Sequence, residues 1–148
     1  MSEKYFNREE AEKLLPLIGN WLEEAWAMKK KFEGIDEELR QVASRIMLLG
    51  GSLPPYTESA EKRAERERCA REFQDTVSKI HETGCLVKDL DIGLVDFPCL
   101  RGGEEVYLCW KLGEERIGFW HGIHEGFAAR KLLDDPAPNE PPGKPRVQ

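Results

Sequence analysis

Apolar side chains recur along the first third of the chain in alternating steps of three and four residues. They are Ala11, Leu14, Ile18, Trp21, Ala25, Met28, Phe32, Ile35, Leu39, Val42, Ile46 and Leu49. This spacing is typical of a coiled coil and places one apolar seam along a single helix. Asn7 is a good N-cap with Glu10 three residues later, and Gly50 is a suitable helix end. We therefore predict one long helix over residues 8–49, kinked at Pro16.

A second helix is predicted over residues 58–83. Its C-terminal half carries apolar residues at the same spacing, namely Ala70, Phe73, Val77 and Ile80. This half can therefore pack antiparallel on the first helix. Residues 61–68 of its N-terminal half are almost all charged and are poorly suited to cover an apolar surface.

The distal end of the first seam, Leu39, Val42, Ile46 and Leu49, therefore lacks an apolar partner within the hairpin. Full burial of each side chain is worth ~1.5–3 kcal/mol, and an uncovered apolar stripe usually marks an association surface. We predict a homodimer in which these four residues form the dimer seam of a four-helix bundle. Lysine and arginine stems of the second helix, the loop at residues 54–56 or the sheet are the alternative covers.

Beyond Gly84 the apolar period changes from about 3.5 to 2, which is typical of strands. Strands are predicted over residues 94–98, 105–110 and 117–121, with residues 85–89 as a fourth candidate. The sequence thus predicts an α+β fold in one domain over residues 1–133. A long antiparallel helical hairpin (7–83) precedes a small three- to four-stranded antiparallel sheet (84–133). The tail, residues 134–148, contains five prolines and is predicted to be disordered.

Alternation along these strands assigns their side chains to two faces. Pairing the most apolar sets gives a core face of Val95, Phe97, Val106, Leu108, Trp110, Ile117, Phe119 and His121. The other face then carries Leu94, Asp96, Tyr107, Cys109 and Trp120. In this register Cys109 and His121 lie on opposite faces, and a slip of one residue in the last hairpin would change the neighbours of Cys109.

Composition narrows the class of protein. The chain has 148 residues, of which 34% are charged, and a formal net charge of -6, which disfavours a nucleic-acid partner. No stretch approaches the ~18 apolar residues of a membrane span, and residues 1–6 lack an apolar signal region.

The four cysteines, Cys69, Cys85, Cys99 and Cys109, include no CxxC pair. We expect them to be thiols in a cytoplasmic protein.

Four sequence blocks resemble the prokaryotic domain-of-unknown-function 2203 family. They are EAEKLLP (10–16), GLVDFP (93–98), VYLCWKLGE (106–114) and FWHGIHEGFAAR (119–130). The likeness extends over about residues 5–133. It implies a small bacterial or archaeal protein, and it brings no known activity, cofactor or catalytic residue to this sequence.

The most specific candidates for a functional site are three potential metal ligands, His121, His124 and Glu125. Two imidazoles three residues apart, followed by a carboxylate, match the ligand types of a transition metal such as zinc or iron. Asp96 is a candidate to complete the shell. The alternative is that His121 is a hydrogen-bonded core or edge histidine and that the other two residues begin a polar loop.

Asp96 lies between two apolar strand residues, where a carboxylate is disfavoured and requires a partner. Arg130 and Lys111 are the candidate partners, in a structural ion pair or in a ligand-binding pair. A small-molecule pocket is the corresponding hypothesis, lined by Asp96, Tyr107, Cys109, Trp120 and Arg130. Cys109 is also a candidate nucleophile, although a buried cysteine is usually an inert small hydrophobe.

The leading functional prediction is a non-enzymatic, homodimeric binding or scaffold module of the cytoplasm. The alternative is a metal-binding protein or metal-dependent enzyme that uses His121, His124 and Glu125. The sequence does not identify a substrate or a small-molecule ligand.

Overall fold

A computed structural model describes residues 4–48, 50 and 56–133. Two helices come first, α1 (Arg8–Leu48) and α2 (Tyr56–Glu82). Five strands follow: β1 (Leu86–Asp89), β2 (Leu94–Arg101), β3 (Glu104–Lys111), β4 (Phe119–Gly122) and β5 (Lys131–Leu132). The predicted α+β class and element order are confirmed. Leu49 and the tail lie outside the described residues.

The described chain divides into two compact units. One comprises the described parts of Met1–Leu22 and Val77–Gln148, and the other is Glu23–Thr76. Neither described helix has an apolar stretch sufficient to cross a membrane.

The start of α1 is fixed by reciprocal hydrogen bonds between Asn7 and Glu10. The Glu10 backbone N–H donates to Asn7 Oδ1 at 2.7 Å, and the Asn7 N–H donates to Glu10 Oε1 at 3.0 Å. These bonds form the predicted capping box, which satisfies two donors that the first turn cannot pair internally. The helix then continues through Pro16.

Loss of the Asn7 cap should destabilise the protein. We expect Asn7→Ala to lower the free energy of unfolding by about 0.5–2 kcal/mol, with Asn7→Ser retaining most of it. Urea denaturation followed by circular dichroism measures the difference. Asn20→Ala, at an exposed position inside α1, is the matched control and should be neutral or slightly stabilising. A similar loss in both alanine variants would contradict a capping role.

The core of the first unit joins both helices to the sheet. Its buried members are Phe6, Ala11, Leu15, Ile18, Leu22, Ile80, Cys85, Val95, Phe97, Leu108, Trp110 and Ile117. Leu15 and Leu22 lie beside the predicted seam, so the buried face of α1 is wider than a strict coiled-coil stripe. Ahead of α1, the Phe6 N–H donates to the Pro98 carbonyl at 2.7 Å. This bond ties the start of the chain to β2.

The second unit is the distal part of the hairpin. Ion pairs connect its helices, among them Lys31–Glu65 (3.3 Å), Asp36–Arg66 (2.7 Å) and Glu38–Lys62 (2.6 Å). Glu38 follows Lys31 along α1, whereas its partner Lys62 precedes Glu65 along α2, so the helices run antiparallel here, as predicted.

One seam position on α2 was predicted wrongly. Ala70 is exposed, whereas Cys69 is buried with 3% of its surface accessible. The inward face continues from Cys69 to Phe73 and Thr76, at the spacing of four and three that a helix face requires. Ala70 therefore points away from the seam, since neighbouring helical residues lie on different faces.

The sheet is an antiparallel meander in the order β1-β2-β3-β4-β5. The fifth strand has two residues and was not predicted. β1 has four residues, and its pairing with β2 shifts register between Val87 and Asp89.

The predicted register holds between β2 and β3 but not between β3 and β4. Val95 pairs with Trp110 and Phe97 with Leu108, so the predicted core face is correct for these strands. In β4, however, Trp120 pairs with Leu108 and lies on the core face. The prediction that Phe119 and His121 face the core is therefore wrong, and both lie on the opposite face.

The cause of this error lies before β4. Ile117 was predicted to begin the strand, but β4 begins at Phe119. Ile117 is buried in the preceding loop, where its N–H donates to the Glu12 carboxylate at 2.9 Å. Alternation counted from Ile117 therefore does not carry into the strand.

Candidate functional site

Three polar side chains from three strands meet on the face of the sheet that lies opposite the apolar core. Asp96 on β2 pairs directly with Cys109 on β3, and His121 on β4 pairs with Tyr107, two residues from Cys109. Since adjacent strands are ~4.8 Å apart, Asp96 and His121 must reach across β3 to touch. The small Cys109 side chain leaves room for this. Asp96, Cys109 and His121 have 1%, 0% and 3% of their surfaces exposed.

The hydrogen bonds of His121 show where the protons of the cluster lie. Nδ1 lies 2.8 Å from the Gly122 carbonyl oxygen, which only accepts, so Nδ1 carries a hydrogen. Nε2 lies 3.1 Å from each carboxylate oxygen of Asp96. A proton must occupy this contact, because two lone pairs would otherwise face each other. The pair is consequently neutral overall, whichever of its members holds that proton.

Burial shifts the pKa values of Asp96 and Cys109. Desolvation raises the pKa of Asp96, and the charge and hydrogen bond of His121 oppose that rise. Desolvation, reinforced by the negative charge of Asp96, raises the pKa of Cys109 to about 12. The sulfur is thus a thiol near neutral pH. Cys109 also has no free imidazole nitrogen beside it, so the geometry does not support a cysteine nucleophile.

Arg130 closes one side of the cluster. Its Nη1 lies 4.0 Å from the Cys109 sulfur, and its guanidinium forms two hydrogen bonds with the Glu114 carboxylate at 3.2 and 3.1 Å. The same guanidinium stacks on the rings of Phe119 and Phe127, at 3.8 and 4.4 Å from their centroids. Arg130 is therefore held in place, with its charge balanced by Glu114.

The partner of Asp96 is neither of the two predicted residues, Arg130 and Lys111. His121 takes that role, whereas Arg130 pairs with Glu114. Of the predicted pocket residues, Tyr107 shares the face of the cluster, and its ring lies 5.5 Å from that of His121. Trp120 is on the other face and packs against the apolar core. The structure thus brings together Asp96, Cys109, Tyr107 and Arg130, but not Trp120.

His124 and Glu125 occupy a different position from His121. His124 is exposed, and the Glu125 carboxylate accepts hydrogen bonds from the Gly122 N–H at 2.6 Å and from Lys131 Nζ at 2.7 Å. These two donors hold the pKa of Glu125 below its usual range. A metal site or metal-dependent enzyme built on His121, His124 and Glu125 stays a prediction.

Across residues 4–48, 50 and 56–133, the three residues whose metal-ligating atoms lie within 4.8 Å of one another are Asp96, Cys109 and His121. All three residues were candidates from the sequence, but His121 was predicted on the wrong face of the sheet. A register shifted by one residue between β3 and β4, which the sequence left open, places His121 on the same face as Asp96 and Cys109.

Comparison with known proteins gives one match. A protein-family model described as "Uncharacterized conserved protein (DUF2203)" matches residues 4–133. No curated protein and no solved structure matches the chain.

Proposed function

The chain belongs to the DUF2203 family of uncharacterized conserved proteins, and we propose that it is a non-enzymatic, homodimeric binding or scaffold module of the cytoplasm. The observation that carries this proposal is the apolar surface at the distal end of α1. Met47 and Leu48 have 83% and 82% of their surfaces exposed. Leu39, Val42 and Ile46 on the same helix are only partly buried. Adjacent exposed apolar side chains of this size favour association.

The facing part of α2 supplies charged groups rather than apolar ones. Lys62 and Arg66 direct their charged ends to Glu38 and Asp36. The aliphatic stems of lysine and arginine can shield part of an apolar seam, as the sequence suggested for this helix. Such stems do not replace an apolar partner, so further burial by another chain remains favourable.

A second copy of the chain suits this surface because a twofold axis would place the apolar stripe of one α1 against the identical stripe of the other. Residues 36–38 and Arg40 already form ion pairs within the chain. The apolar side chains, and not these charges, would therefore drive the association.

The cytoplasmic and non-enzymatic parts of the proposal have separate support. All four cysteines are free thiols, as in proteins of a reducing compartment. The polar groups of Asp96 and His121 are occupied by each other and by a backbone carbonyl, so the pair presents no free base.

The test is the mass of the full chain in solution, measured by size-exclusion chromatography with multi-angle light scattering. We expect a dimer, and we expect Leu39→Glu with Ile46→Glu to weaken it by at least about a hundredfold. Loss of ~1.5–3 kcal/mol per buried apolar side chain corresponds to a factor of ten or more for each.

Leu17→Glu is the matched control, because Leu17 is also an exposed α1 leucine, at 44%, but lies outside the distal hairpin. It should leave the dimer intact. Circular dichroism should show that the charged variants remain helical. A monomeric wild-type chain at micromolar concentration would refute the proposal.

A further inference from the structure

We propose that Asp96, Cys109 and His121 form a binding site for one divalent transition metal ion, with zinc as the favoured ion. The residues lie on three adjacent strands, β2, β3 and β4, so the sheet itself sets their spacing. They also combine the sulfur, imidazole nitrogen and carboxylate oxygen donors that zinc takes in proteins. A sulfur and a nitrogen donor disfavour magnesium and calcium.

The distances among the three side chains suit a single ion. Their candidate ligand atoms all lie within 4.8 Å of one another, and His121 Nε2 is 3.1 Å from each oxygen of Asp96. Tetrahedral zinc, with bonds of roughly 2.0–2.3 Å, separates neighbouring ligand atoms by roughly 3.3–3.7 Å. Small rotations of the side chains would therefore bring all three atoms to one centre.

His121 is already oriented as a metal ligand. Its Nδ1–H donates to the Gly122 carbonyl, and Nε2 is the nitrogen that faces Asp96. A backbone carbonyl that holds the second nitrogen of an imidazole in this way is the usual support of a metal-binding histidine, since it fixes both the tautomer and the ring plane.

The charge balance of the cluster also accommodates a divalent ion. Without metal, one proton lies between Asp96 and His121 and another is on the Cys109 sulfur, and the three groups are neutral together. A bound Zn²⁺ would displace both protons and leave a carboxylate, a thiolate and a neutral imidazole around a doubly charged ion, which are again neutral together. The buried cluster therefore gains no net charge when the ion replaces the protons.

Arg130 supports a metal-bound thiolate rather than opposing the ion. Its Nη1 lies 4.0 Å from the Cys109 sulfur, where an N–H stabilises negative charge on that atom. The positive charge of Arg130 is balanced by its paired hydrogen bonds to Glu114. Within the part of the chain that the structure describes, no fourth His, Cys, Asp or Glu joins the group. Water would thus complete a tetrahedral shell.

The experiment measures zinc in the full chain purified without a histidine tag. The protein is stripped with a chelator, incubated with zinc, freed of excess metal by gel filtration and analysed by mass spectrometry. We expect about one zinc per chain for the wild type and almost none for Cys109→Ser or His121→Gln. Cys99→Ser, which removes a partly buried thiol of β2 outside the group, should bind zinc like the wild type.

Cobalt substitution gives a second readout that does not depend on a variant folding. Cobalt bound to the wild type should show a thiolate-to-cobalt charge-transfer band in the near ultraviolet and the intense visible bands of tetrahedral coordination. A folded wild-type chain that stays without zinc and shows neither band overturns the proposal. Full zinc content in both Cys109→Ser and His121→Gln also overturns it, as does loss of zinc in His124→Gln with retention in Cys109→Ser.

Discussion

Replacing Asp96 with alanine is expected to lower the free energy of unfolding of the metal-free chain by about 3–5 kcal/mol. The side chain is almost fully buried and meets His121 Nε2 with both oxygens at 3.1 Å. Alanine would leave that nitrogen buried without its partner and would open a void between β2 and β4. Urea denaturation monitored by circular dichroism and tryptophan fluorescence measures the loss.

Two further variants distinguish the contribution of the Asp96–His121 pair from the effect of removing any carboxylate. Asp96→Asn keeps the shape, and its amide N–H can donate to Nε2, so we expect a smaller loss of about 1–3 kcal/mol. Asp75→Ala, which removes an exposed carboxylate of α2, should change stability by less than about 0.5 kcal/mol. If Asp96→Ala were as mild as Asp75→Ala, the buried pair would have no structural importance.

Replacing Gly93 with alanine is expected to destabilise the fold nearly as much as replacing Asp96 does. Gly93 has φ +70°, and a Cβ atom built there would lie 2.5 Å from the Cβ of Leu112. The Gly93 carbonyl accepts the Leu112 N–H at 2.9 Å, so separating the two residues would break that bond. We expect Gly93→Ala to lower the free energy of unfolding by roughly 2–5 kcal/mol, the sum of left-handed strain and overpacking. Thermal and urea denaturation measure the change.

Gly102→Ala is the control that measures backbone strain without a steric clash. Gly102 has φ +61°, and a Cβ atom there would meet nothing within 4 Å, so only the ~1–2 kcal/mol of left-handed strain is expected. Leu112→Ala should not rescue Gly93→Ala, because the clash involves the Cβ atom that alanine retains. Equal losses at the two glycines would show that the contact with Leu112 is unimportant.

The helices were predictable because their information is local. The capping box at Asn7 and Glu10 and the apolar spacing of α1 lie within single stretches of sequence. The inward face of α2 was harder to predict, because Cys69 and Ala70 are adjacent small residues. Only the packing of α2 in the hairpin distinguishes them.

The polar cluster was only partly predictable because it depends on pairing between strands. Phe119 and Trp120 are both large aromatic residues, so alternation alone does not show which of them faces the core. The loop before β4 decides this by burying Ile117 separately. Asp96 was recognised as a carboxylate that needs a partner, but identifying His121 required the register of a strand that does not pair with β2.

The two outer strands of the sheet, β1 and β5, determine whether the sheets of two chains can pair edge to edge. β5 offers two residues of backbone, and β1 offers four with an irregular register. An incoming strand needs a longer, straight row of unpaired N–H and C=O groups to extend a sheet. Short or irregular margins of this kind protect a protein against edge-to-edge aggregation and fibril growth.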